Sequence, residues 1–345
     1  MKVDYIIVGL GLAGIAFCES LRANNKSFVV IDSGINTSST IAGGLFNPVI
    51  LKRFTPAWNA ENQLKSAIPF YEKLEQKLKV KLIYNTPVFR LFASVEEQNL
   101  WFEVSDKPGL EPFIAKQIHH NTNPHIHAPF GFGEVLQSGR VDTGLLLETY
   151  RMHLLKENQL IEAYVQYDEL IIDKSIEYKD ISASKIVFAE GFGLNNNPFF
   201  NFLPLPGNKG ELITIQSDEL KLDTIIKSGV FIIPDGGNYF RVGSTYNHRD
   251  KTTDPTDVAR TELLKKLNKF LTCEFEVIEH QAGIRPTTKD RKPLLGRHPK
   301  FENMYVLNGL GSRGVLIAPT VAGNLYDFIE ASIPLDYEVS IERFL

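Results

Sequence analysis

Three glycines and one acid near the N-terminus have the spacing of a dinucleotide-binding site. Gly9, Gly11 and Gly14 directly follow the apolar run 4–8, and Asp32 comes 23 positions after Gly9, close to the spacing of about 20 that is typical of such sites. Gly9 would allow a tight turn, Gly11 would let the backbone approach a pyrophosphate, and Gly14 would let a helix pack against a sheet. The pyrophosphate would lie at the helix N-terminus, and Asp32 would accept a hydrogen bond from a ribose hydroxyl.

The elements around these residues are the ones that such a site requires. Residues 4–8 are rich in β-branched side chains, apolar residues recur at helical spacing over 15–23, and a second predicted strand, 27–31, ends at Asp32. The alternative is a glycine turn in an α/β protein that binds no nucleotide. The acid at the end of the second strand argues against that alternative, and the polar loop 33–40 suits phosphate and ribose contacts.

Two other stretches place glycines where a ligand could contact the backbone. Gly43 and Gly44 would let the chain lie flat against a planar ligand, although a simple loop is the alternative. The predicted strand 185–188 is apolar throughout its second half and ends at Ala189 and Gly191. We therefore predict that this strand is another part of the sheet that contacts the nucleotide.

A second glycine loop lies near the C-terminus. Residues 308–315 follow the predicted strand 304–307 and precede a predicted helix that runs to about residue 329. The N–H groups at the start of this helix would face an anionic ligand atom. The loop would therefore stabilise a negative charge on a bound ligand.

The composition is that of a globular protein with two domains. The chain has 345 residues, 43% of them hydrophobic and 23% charged, and this length exceeds that of one ordinary core. The net charge of −4 gives no basic field for nucleic acid, although a local basic patch stays possible. Cys18 and Cys273 are far apart and form no C-x-x-C motif, which predicts a reducing compartment and a cytoplasmic location. No apolar run is long enough to predict a membrane span.

The rest of the chain alternates predicted helices with short strands. A strand-rich middle beside a nucleotide fold predicts an antiparallel sheet over a cleft. The predicted helices are 58–80, with a kink at Pro69, then 95–104, 144–156 and 254–271; the predicted strands are 81–93, broken near 85–87, the hairpin 230–234 with 239–245, and 274–282.

Four histidines crowd one segment, namely His119, His120, His125 and His127. One hypothesis is a metal site, and the other is an exposed loop that continues into a strand. No Cys, Asp or Glu lies among these histidines, and two prolines in the segment indicate irregular backbone. We therefore predict no metal site here.

Segments from both ends of the chain together resemble the D-amino acid oxidase and glycine oxidase family of flavoproteins. The early glycines with Asp32 match that family, as does the segment 39–44. The strongest match is the run 283–296, which begins Gly-Ile-Arg-Pro, followed by the glycine loop 309–315. The Ser-Arg-Gly form of 312–314 also resembles the oxidase domain of the bifunctional enzyme that modifies wobble uridine in tRNA. These segments follow one another in the family's order.

This resemblance implies FAD as the cofactor and a fold of the α/β class (α+β overall). The fold would be a Rossmann-like FAD-binding domain, discontinuous in sequence, with an inserted antiparallel-sheet substrate domain. The FAD-binding domain would comprise residues 1–50, 140–197 and 280–345, and the substrate domain 51–139 and 198–279.

The same resemblance assigns cofactor contacts to three groups of residues, in addition to the glycines and strand ends described above. The AMP half would contact Leu12, Ala13, Asp32 and Ser33, with Val165 beside the adenine; the wall from pyrophosphate to flavin would comprise Ser38, Ser39, Gly43, Gly44 and Leu45; and the flavin-ring loop would comprise Leu310, Gly311, Ser312, Arg313, Gly314, Val315 and Leu316.

The implied reaction is oxidation of a C–H bond next to an amine nitrogen, with hydride transfer to flavin N5. Arg285 matches the arginine that binds the substrate carboxylate as a bidentate pair; the alternative is a structural salt bridge, for example to Asp290. Arg313 would either hold the ligand or brace its loop. Tyr239 and Tyr246, on the predicted hairpin and just after it, would cover the pocket or else serve as packing.

Three functions are open on the sequence alone. The first is an FAD-dependent amine or amino-acid oxidase or dehydrogenase, which acts on a small molecule and passes electrons to O2 or another acceptor. The second is an oxidase of a carboxymethylaminomethyl group in tRNA, and the third is a flavin-binding protein without catalysis. Glycine oxidase-like sequences carry an arginine one position before Arg313, where this chain has Ser312, which weighs against a glycine-like substrate. The net charge weighs against tRNA.

Overall fold

The computed structural model describes residues 1–34 and 38–345. The centre of the predicted phosphate and ribose loop, residues 35–37, lies outside the described residues. The described chain contains seven α-helices: α1 Leu12–Ala23, α2 Ser38–Ile41, α3 Ala60–Leu78, α4 Val95–Ser105, α5 Thr143–Lys156, α6 Asp257–Leu267 and α7 Gly314–Glu330.

Strands outnumber helices, and most of them are short. The strands are β1 Lys2–Val8, β2 Phe28–Ile31, β3 Leu45–Phe46, β4 Val49–Ile50, β5 Thr55–Pro56, β6 Ile83–Tyr84, β7 Val88–Leu91, β8 Ile114–His119, β9 Phe132–Val135, β10 Gly139–Val141, β11 Leu160–Ile161, β12 Leu170–Ile172, β13 Ile176–Tyr178, β14 Ile181–Phe188, β15 Asn208–Gln216, β16 Ile225–Lys227, β17 Phe231–Pro234, β18 Tyr239–Gly243, β19 Glu276–Arg285, β20 Leu294–Arg297 and β21 Met304–Asn308.

The first eight-stranded sheet is Rossmann-like. Its parallel part has the order β11-β2-β1-β14-β21, and β12, β13 and β20 extend it by antiparallel pairing. Strand β1 lies at the centre and is buried on both faces, with Tyr5 and Ile7 in one apolar cluster and Ile6 and Val8 in another. A central parallel strand therefore needs a continuous apolar run, as the sequence 4–8 provides.

The second eight-stranded sheet has the order β19-β15-β18-β17-β16-β7-β9-β8. Its pairs are antiparallel except for β16 with β7. The inner residues of β15, β17 and β18 pack with α6 in a third apolar cluster. The parallel first sheet and the antiparallel second sheet confirm the predicted fold class.

The exact domain boundaries stay a prediction. The predicted boundary between residues 279 and 280 falls inside β19, which continues in the second sheet to Arg285. Helix α3 was assigned to the substrate domain, yet its Tyr71 hydroxyl donates to the Val315 carbonyl oxygen in α7 at 2.9 Å. This helix therefore packs against the nucleotide-binding layer.

Several predicted elements begin or end at different residues in the structure. The helix predicted over 254–271 spans only Asp257–Leu267, because Thr256 caps its N-terminus by accepting from the Ala259 N–H. The strand predicted over 81–93 is reduced to β6 and β7. Pro69 lies inside the continuous helix α3. No described helix is long and apolar enough to cross a membrane.

Candidate functional site

The turn between β1 and α1 requires glycine at two positions. Gly9 has a φ of +100°, and a Cβ there would lie 2.5 Å from the Ala189 carbonyl oxygen. A Cβ on Gly14 would lie 2.1 Å from the Gly9 carbonyl oxygen. Helix α1 consequently starts in close contact with the ends of β1 and β14, as a dinucleotide site needs.

The N-terminus of α1 is free to receive an anion. Gly11 is its N-cap and has no side chain to cap the helix, and no acid lies among the described residues of the first turn. The Ser39 hydroxyl lies 3.5 Å from the Leu12 nitrogen, which brings the predicted wall residue Ser39 to this helix end. Uncapped N–H groups beside a glycine turn fit a pyrophosphate.

The Asp32 carboxylate lies at the end of β2 and already has three hydrogen-bond donors. It accepts from the Leu10 N–H at 2.8 Å, from the Gly34 N–H at 2.8 Å and from Arg151 Nη1 at 2.7 Å. Ser33 follows it and is partly buried. Because a carboxylate offers about four acceptor positions, one position stays for a ribose hydroxyl. Sequence reasoning missed Arg151, which no motif marks.

The predicted wall from Ser38 to Leu45 is held against the second sheet. Arg241 of β18 donates to the carbonyl oxygens of Ile41 at 2.7 Å and Ala42 at 2.9 Å. A Cβ on Gly283 would lie 3.4 Å from the Ser38 Cα, so β19 passes directly beside α2. Arg241 was also missed, since only the folded hairpin brings it to this segment.

Position 44 in this wall requires glycine. Its φ is +69°, and a Cβ would lie 1.8 Å from the Val141 carbonyl oxygen. For Gly43, a Cβ would lie 2.8 Å from Ile233 Cδ1, a side-chain end in the second sheet. The wall therefore runs between β10 and β17, with no room for a side chain at Gly44 and a close approach to the Ile233 side chain at Gly43.

The late glycine loop lies beside the early one. A Cβ on Gly314 would lie 3.2 Å from Leu12 Cδ1, and the Gly311 N–H donates to the Pro286 carbonyl oxygen at 3.0 Å. Helix α7 begins here with Arg313 as its N-cap, and in the described chain neither a capping side chain nor a first-turn acid is found at that end. Two uncapped helix N-termini thus meet in one region, which fits a single elongated anionic cofactor.

The other residues of the late glycine loop pack against neighbouring segments. Leu310, Val315 and Leu316 are buried, whereas Ser312 is exposed. A Cβ on Gly311 would come within 3.8 Å of the Thr287 hydroxyl. The loop is consequently packed against the segment that follows Arg285, with its apolar side chains directed into the core.

Arg285 ends β19 and lies in a polar cage without an acid. Its Nη2 donates to the Ser244 hydroxyl at 2.5 Å, and its Nη1 donates to Asn208 Oδ1 at 3.2 Å and to the Thr245 carbonyl oxygen at 3.4 Å. Its guanidinium carbon lies 4.7 Å from the Tyr246 ring centre, a cation–π contact. The alternative salt bridge to Asp290 does not form, because Asp290 pairs with Arg343.

The Arg313 side chain is partly buried and has no hydrogen bond or ion pair to any residue that the structure describes. Burial lowers the pKa of Arg313 and of Arg285, while the Tyr246 hydroxyl acts on both in the opposite direction. Tyr246 is thus within electrostatic range of both guanidinium groups. The structure brings Arg285, Arg313 and Tyr246 into one region.

Tyr239 is not brought to this group. In the register of β15 and β18, Tyr239 lies opposite Gln216, whereas Gly243, next to the Ser244 that binds Arg285, lies opposite Leu212. Tyr239 is therefore at the other end of β18, with 42% of its surface exposed. Tyr246 has 66% of its surface exposed and covers Arg285 from the solvent side.

Three residues that were predicted to contact the cofactor, namely Ala189, Gly191 and the adenine-side Val165, accompany a partly buried acid that the sequence did not reveal. Ala189 abuts Gly9, Gly191 has a φ of +58° with open space around it, and Val165 packs at the margin of the cluster on this face of the first sheet. Between them lies Glu190, which accepts from the Tyr167 hydroxyl at 2.5 Å and from Asn197 Nδ2 at 2.7 Å. Burial raises the pKa of Glu190 to about 7.

The histidine segment is divided by the fold. His119 pairs with Glu134 at 3.0 Å on the second sheet. In the described residues, one group has the donor types of a metal site, namely His125, Glu219 and Cys273, whose ligand atoms lie within 4.8 Å of one another. Of the four histidines in the segment, only His125 belongs to this group.

A family model and two relatives that match this chain point to the same family. The family model described as FAD dependent oxidoreductase matches residues 4–327. A protein named glycine oxidase from Bacillus subtilis is 23% identical over 95% of this chain and 94% of its own length. Another glycine oxidase, from Pseudomonas putida, is 24% identical over 97% of this chain and 96% of its own length.

Solved structures agree on the fold. Glycine oxidase from Geobacillus kaustophilus superposes with a TM-score of 0.81 at 18% identity, over 99% of this chain and 98% of that chain. Iminodiacetate oxidase from Chelativorans sp. BNC1 gives a TM-score of 0.80 at 17% identity, over 99% and 98%.

A further relative is about twice as long. The tRNA 5-methylaminomethyl-2-thiouridine biosynthesis bifunctional protein of Legionella pneumophila (strain Corby) is 23% identical over 96% of this chain, but the chain covers only 54% of that protein. The match is thus to one part of a larger protein.

Proposed function

Because this chain belongs to the family of FAD-dependent oxidoreductases, we propose that it oxidises the C–H bond next to the amine nitrogen of a small molecule that carries a carboxylate. It is an enzyme of the glycine oxidase and amino-acid oxidase type, and its cofactor is FAD. The two helix N-termini, which have no acid among the described residues of their first turns, fit the negative charge of that cofactor.

The surroundings of the Arg285 guanidinium support this substrate class. Its guanidinium is partly buried, is held by neutral oxygens only, and is stacked against Tyr246. A buried cation without an anion is costly, so the arrangement favours a ligand that brings its own carboxylate. Guanidinium and carboxylate match as a two-bond fork.

The chain's own residues would bind and orient. Arg285 would take the carboxylate, while Ser244 and Asn208 would fix the plane of its guanidinium. FAD, when bound, supplies the two-electron acceptor for the hydride. The substrate would lose that hydride from carbon and a proton from nitrogen, giving a C=N bond that water hydrolyses to an amine and a carbonyl compound. No protein nucleophile is needed, and no protein base is needed if the amine enters neutral.

An anaerobic reduction assay tests the proposal. The purified, FAD-loaded protein is mixed with D- and L-amino acids and with N-methylated amino acids, and loss of flavin absorbance is followed. We expect at least one amine with a carboxylate to bleach the flavin. Re-oxidation by air with release of hydrogen peroxide, compared with re-oxidation by a dye alone, then identifies an oxidase or a dehydrogenase. No bleaching by any amine would refute the proposal.

Replacing Arg285 separates its role from general stability. For Arg285→Met we expect kcat/KM for carboxylate substrates to fall roughly 100-fold, equivalent to about 2.7 kcal/mol, since a charge-assisted pair is lost. The matched control is Arg297→Met, an exposed arginine on β20, which should leave turnover unchanged. Unchanged turnover in Arg285→Met with normal FAD content would contradict the assignment.

A role on tRNA is the second candidate, favoured by the relatives named for tRNA thiouridine biosynthesis. The chain spans about half the length of those relatives, and its net charge of −4 provides no overall attraction to phosphates. Binding of modified tRNA with a steep salt dependence would support this candidate. Absence of any tRNA binding at low salt would exclude it.

A further inference from the structure

The arginines that lie away from solvent differ in what neutralises them. Eight arginine side chains are buried or partly buried. Five of them pair with a carboxylate, and Arg241 donates to two carbonyl oxygens. Arg285 and Arg313 have no carboxylate partner among residues 1–34 and 38–345. The five ion pairs are Arg22 with Glu157, Arg90 with Glu97, Arg140 with Asp235, Arg151 with Asp32, and Arg343 with Asp290.

The two unpaired guanidinium groups belong to adjoining segments. The hydrogen bond from the Gly311 N–H to the Pro286 carbonyl oxygen, at 3.0 Å, ties the loop of Arg313 to the residue after Arg285. Tyr246 stacks on Arg285, and its hydroxyl acts on the pKa of both arginines. The fold therefore places two positive charges beside one candidate substrate region.

Two acids that lie close in sequence to Tyr246 and Arg285 are already paired with other cations. Asp290 is held by Arg343, and Asp250 is held by the buried Lys209 at 2.6 Å. Arg291 is a further cation whose charge lowers the pKa of Arg313. The region consequently keeps an excess of positive charge, which one substrate carboxylate would only half satisfy.

We propose that the substrate carries two carboxylates, one bound by Arg285 and the other by Arg313, with the reacting amine between them. The ligand class is a dicarboxylic amine, of which a secondary amine with a carboxymethyl group on each side of the nitrogen is the simplest symmetrical case. This inference rests on the proposed function, since it assigns a second anion-binding position within the same site. Arg313 is then a specificity-determining residue.

The probes are iminodiacetate and N-methylglycine. Both are secondary amines; iminodiacetate has two N-carboxymethyl groups and N-methylglycine has one, so they differ only in that a second carboxylate replaces a hydrogen atom of the methyl group. Binding is measured by the change in flavin absorbance at equilibrium before turnover, and kcat/KM by anaerobic flavin reduction. For the unsubstituted enzyme we expect iminodiacetate to have at least about a 30-fold higher kcat/KM, the value of one charge-assisted contact.

Arg313→Met is the decisive variant, and Arg313→Lys keeps the charge without the two-pronged guanidinium geometry. We expect Arg313→Met to lower binding and kcat/KM at least about 30-fold more for iminodiacetate than for N-methylglycine. Arg313→Lys should fall between Arg313→Met and the unsubstituted enzyme. FAD content, measured by absorbance, shows whether the loop has kept its fold, and if Arg313→Met loses FAD the comparison is made on Arg313→Lys.

The outcomes separate the two proposals. Equal losses for both probes in the Arg313 variants, or no preference for iminodiacetate in the unsubstituted enzyme, would overturn the dicarboxylate inference alone. Bleaching by N-methylglycine or an amino acid in that same experiment would leave the proposed function intact. Failure of every amine to bleach the flavin would refute the proposed function, and the inference that rests on it.

Discussion

The contact between Gly14 and Gly9 gives a sharp test of the nucleotide site. A Cβ on Gly14 would lie 2.1 Å from the Gly9 carbonyl oxygen and 3.1 Å from its carbonyl carbon. Ordinary contact begins near 3.4 Å, and both of these atoms are backbone, so no side-chain rotation can relieve the clash. Gly14→Ala must therefore push α1 away from the end of β1 by about 1 Å.

The expected cost follows from that displacement. Overpacking a well-packed interior costs about 1–3 kcal/mol, and the upper end applies because two rigid elements meet. The same shift moves the α1 N-terminus from the position where it would contact a pyrophosphate. We expect Gly14→Ala to lose about 3 kcal/mol of stability and to be isolated with much less FAD than the unsubstituted protein.

The matched control is Gly323→Ala, in the interior of α7. Nothing lies within 4 Å of a Cβ at Gly323, so the substitution should stabilise the protein by about 0.5–1 kcal/mol through helix propensity. Urea unfolding followed by far-UV circular dichroism, together with the ratio of flavin to protein absorbance, measures both effects. A Gly14→Ala protein with the original unfolding midpoint and full FAD content would refute the packing argument.

Two further predictions concern buried charges outside the proposed substrate region. Burial raises the pKa of Glu190 from its ordinary 4.5 to about 7, so the folded state binds more protons than the unfolded state between these pH values, and stability falls as pH rises through that window. Glu190→Gln should remove this loss. Its advantage over the unsubstituted protein in the free energy of unfolding, measured with urea, should therefore grow from pH 5 to pH 8 by up to about 3 kcal/mol; an advantage independent of pH would contradict this. Lys209 is fully buried and binds Asp250, Thr252 and the Asp254 carbonyl oxygen. Lys209→Met should make the segment 250–256 several-fold more sensitive to limited proteolysis with FAD content unchanged, an outcome that an equal cleavage rate in both proteins would rule out.

The early motif could be predicted from the sequence because its residues lie within one short strand–turn–helix–strand stretch. Although the close approach at Gly9 is to the distant Ala189, the run 4–8 is apolar because β1 is buried on both faces, and Gly14 is required by a contact with Gly9 inside one strand–turn–helix unit. Sequence spacing records such short-range geometry directly. The family resemblance extended this reading to FAD and to the segment around Arg285.

The contacts between segments that are distant in sequence could not be predicted from the sequence. Arg151 reaches Asp32 from a helix 119 positions away, and Arg241 reaches Ile41 across 200 positions. Tyr239 and Tyr246 were treated alike because both are tyrosines on or next to one predicted hairpin. The pairing register of β15 and β18 separates them, since it sets which end of the strand each one occupies.

The sequence by itself determined the α/β pattern and the position of the nucleotide-binding glycines, because those depend on periodicity and on motifs within short segments, and its family resemblance supplied the cofactor. Only the tertiary structure decided which charges are neutralised. Asp290 could have paired with Arg285 on sequence grounds, but the fold gives it to Arg343 and leaves Arg285 and Arg313 without an acid within the described chain. Charge pairing depends on distances between residues that are remote in sequence, and those distances exist only once the two sheets have packed.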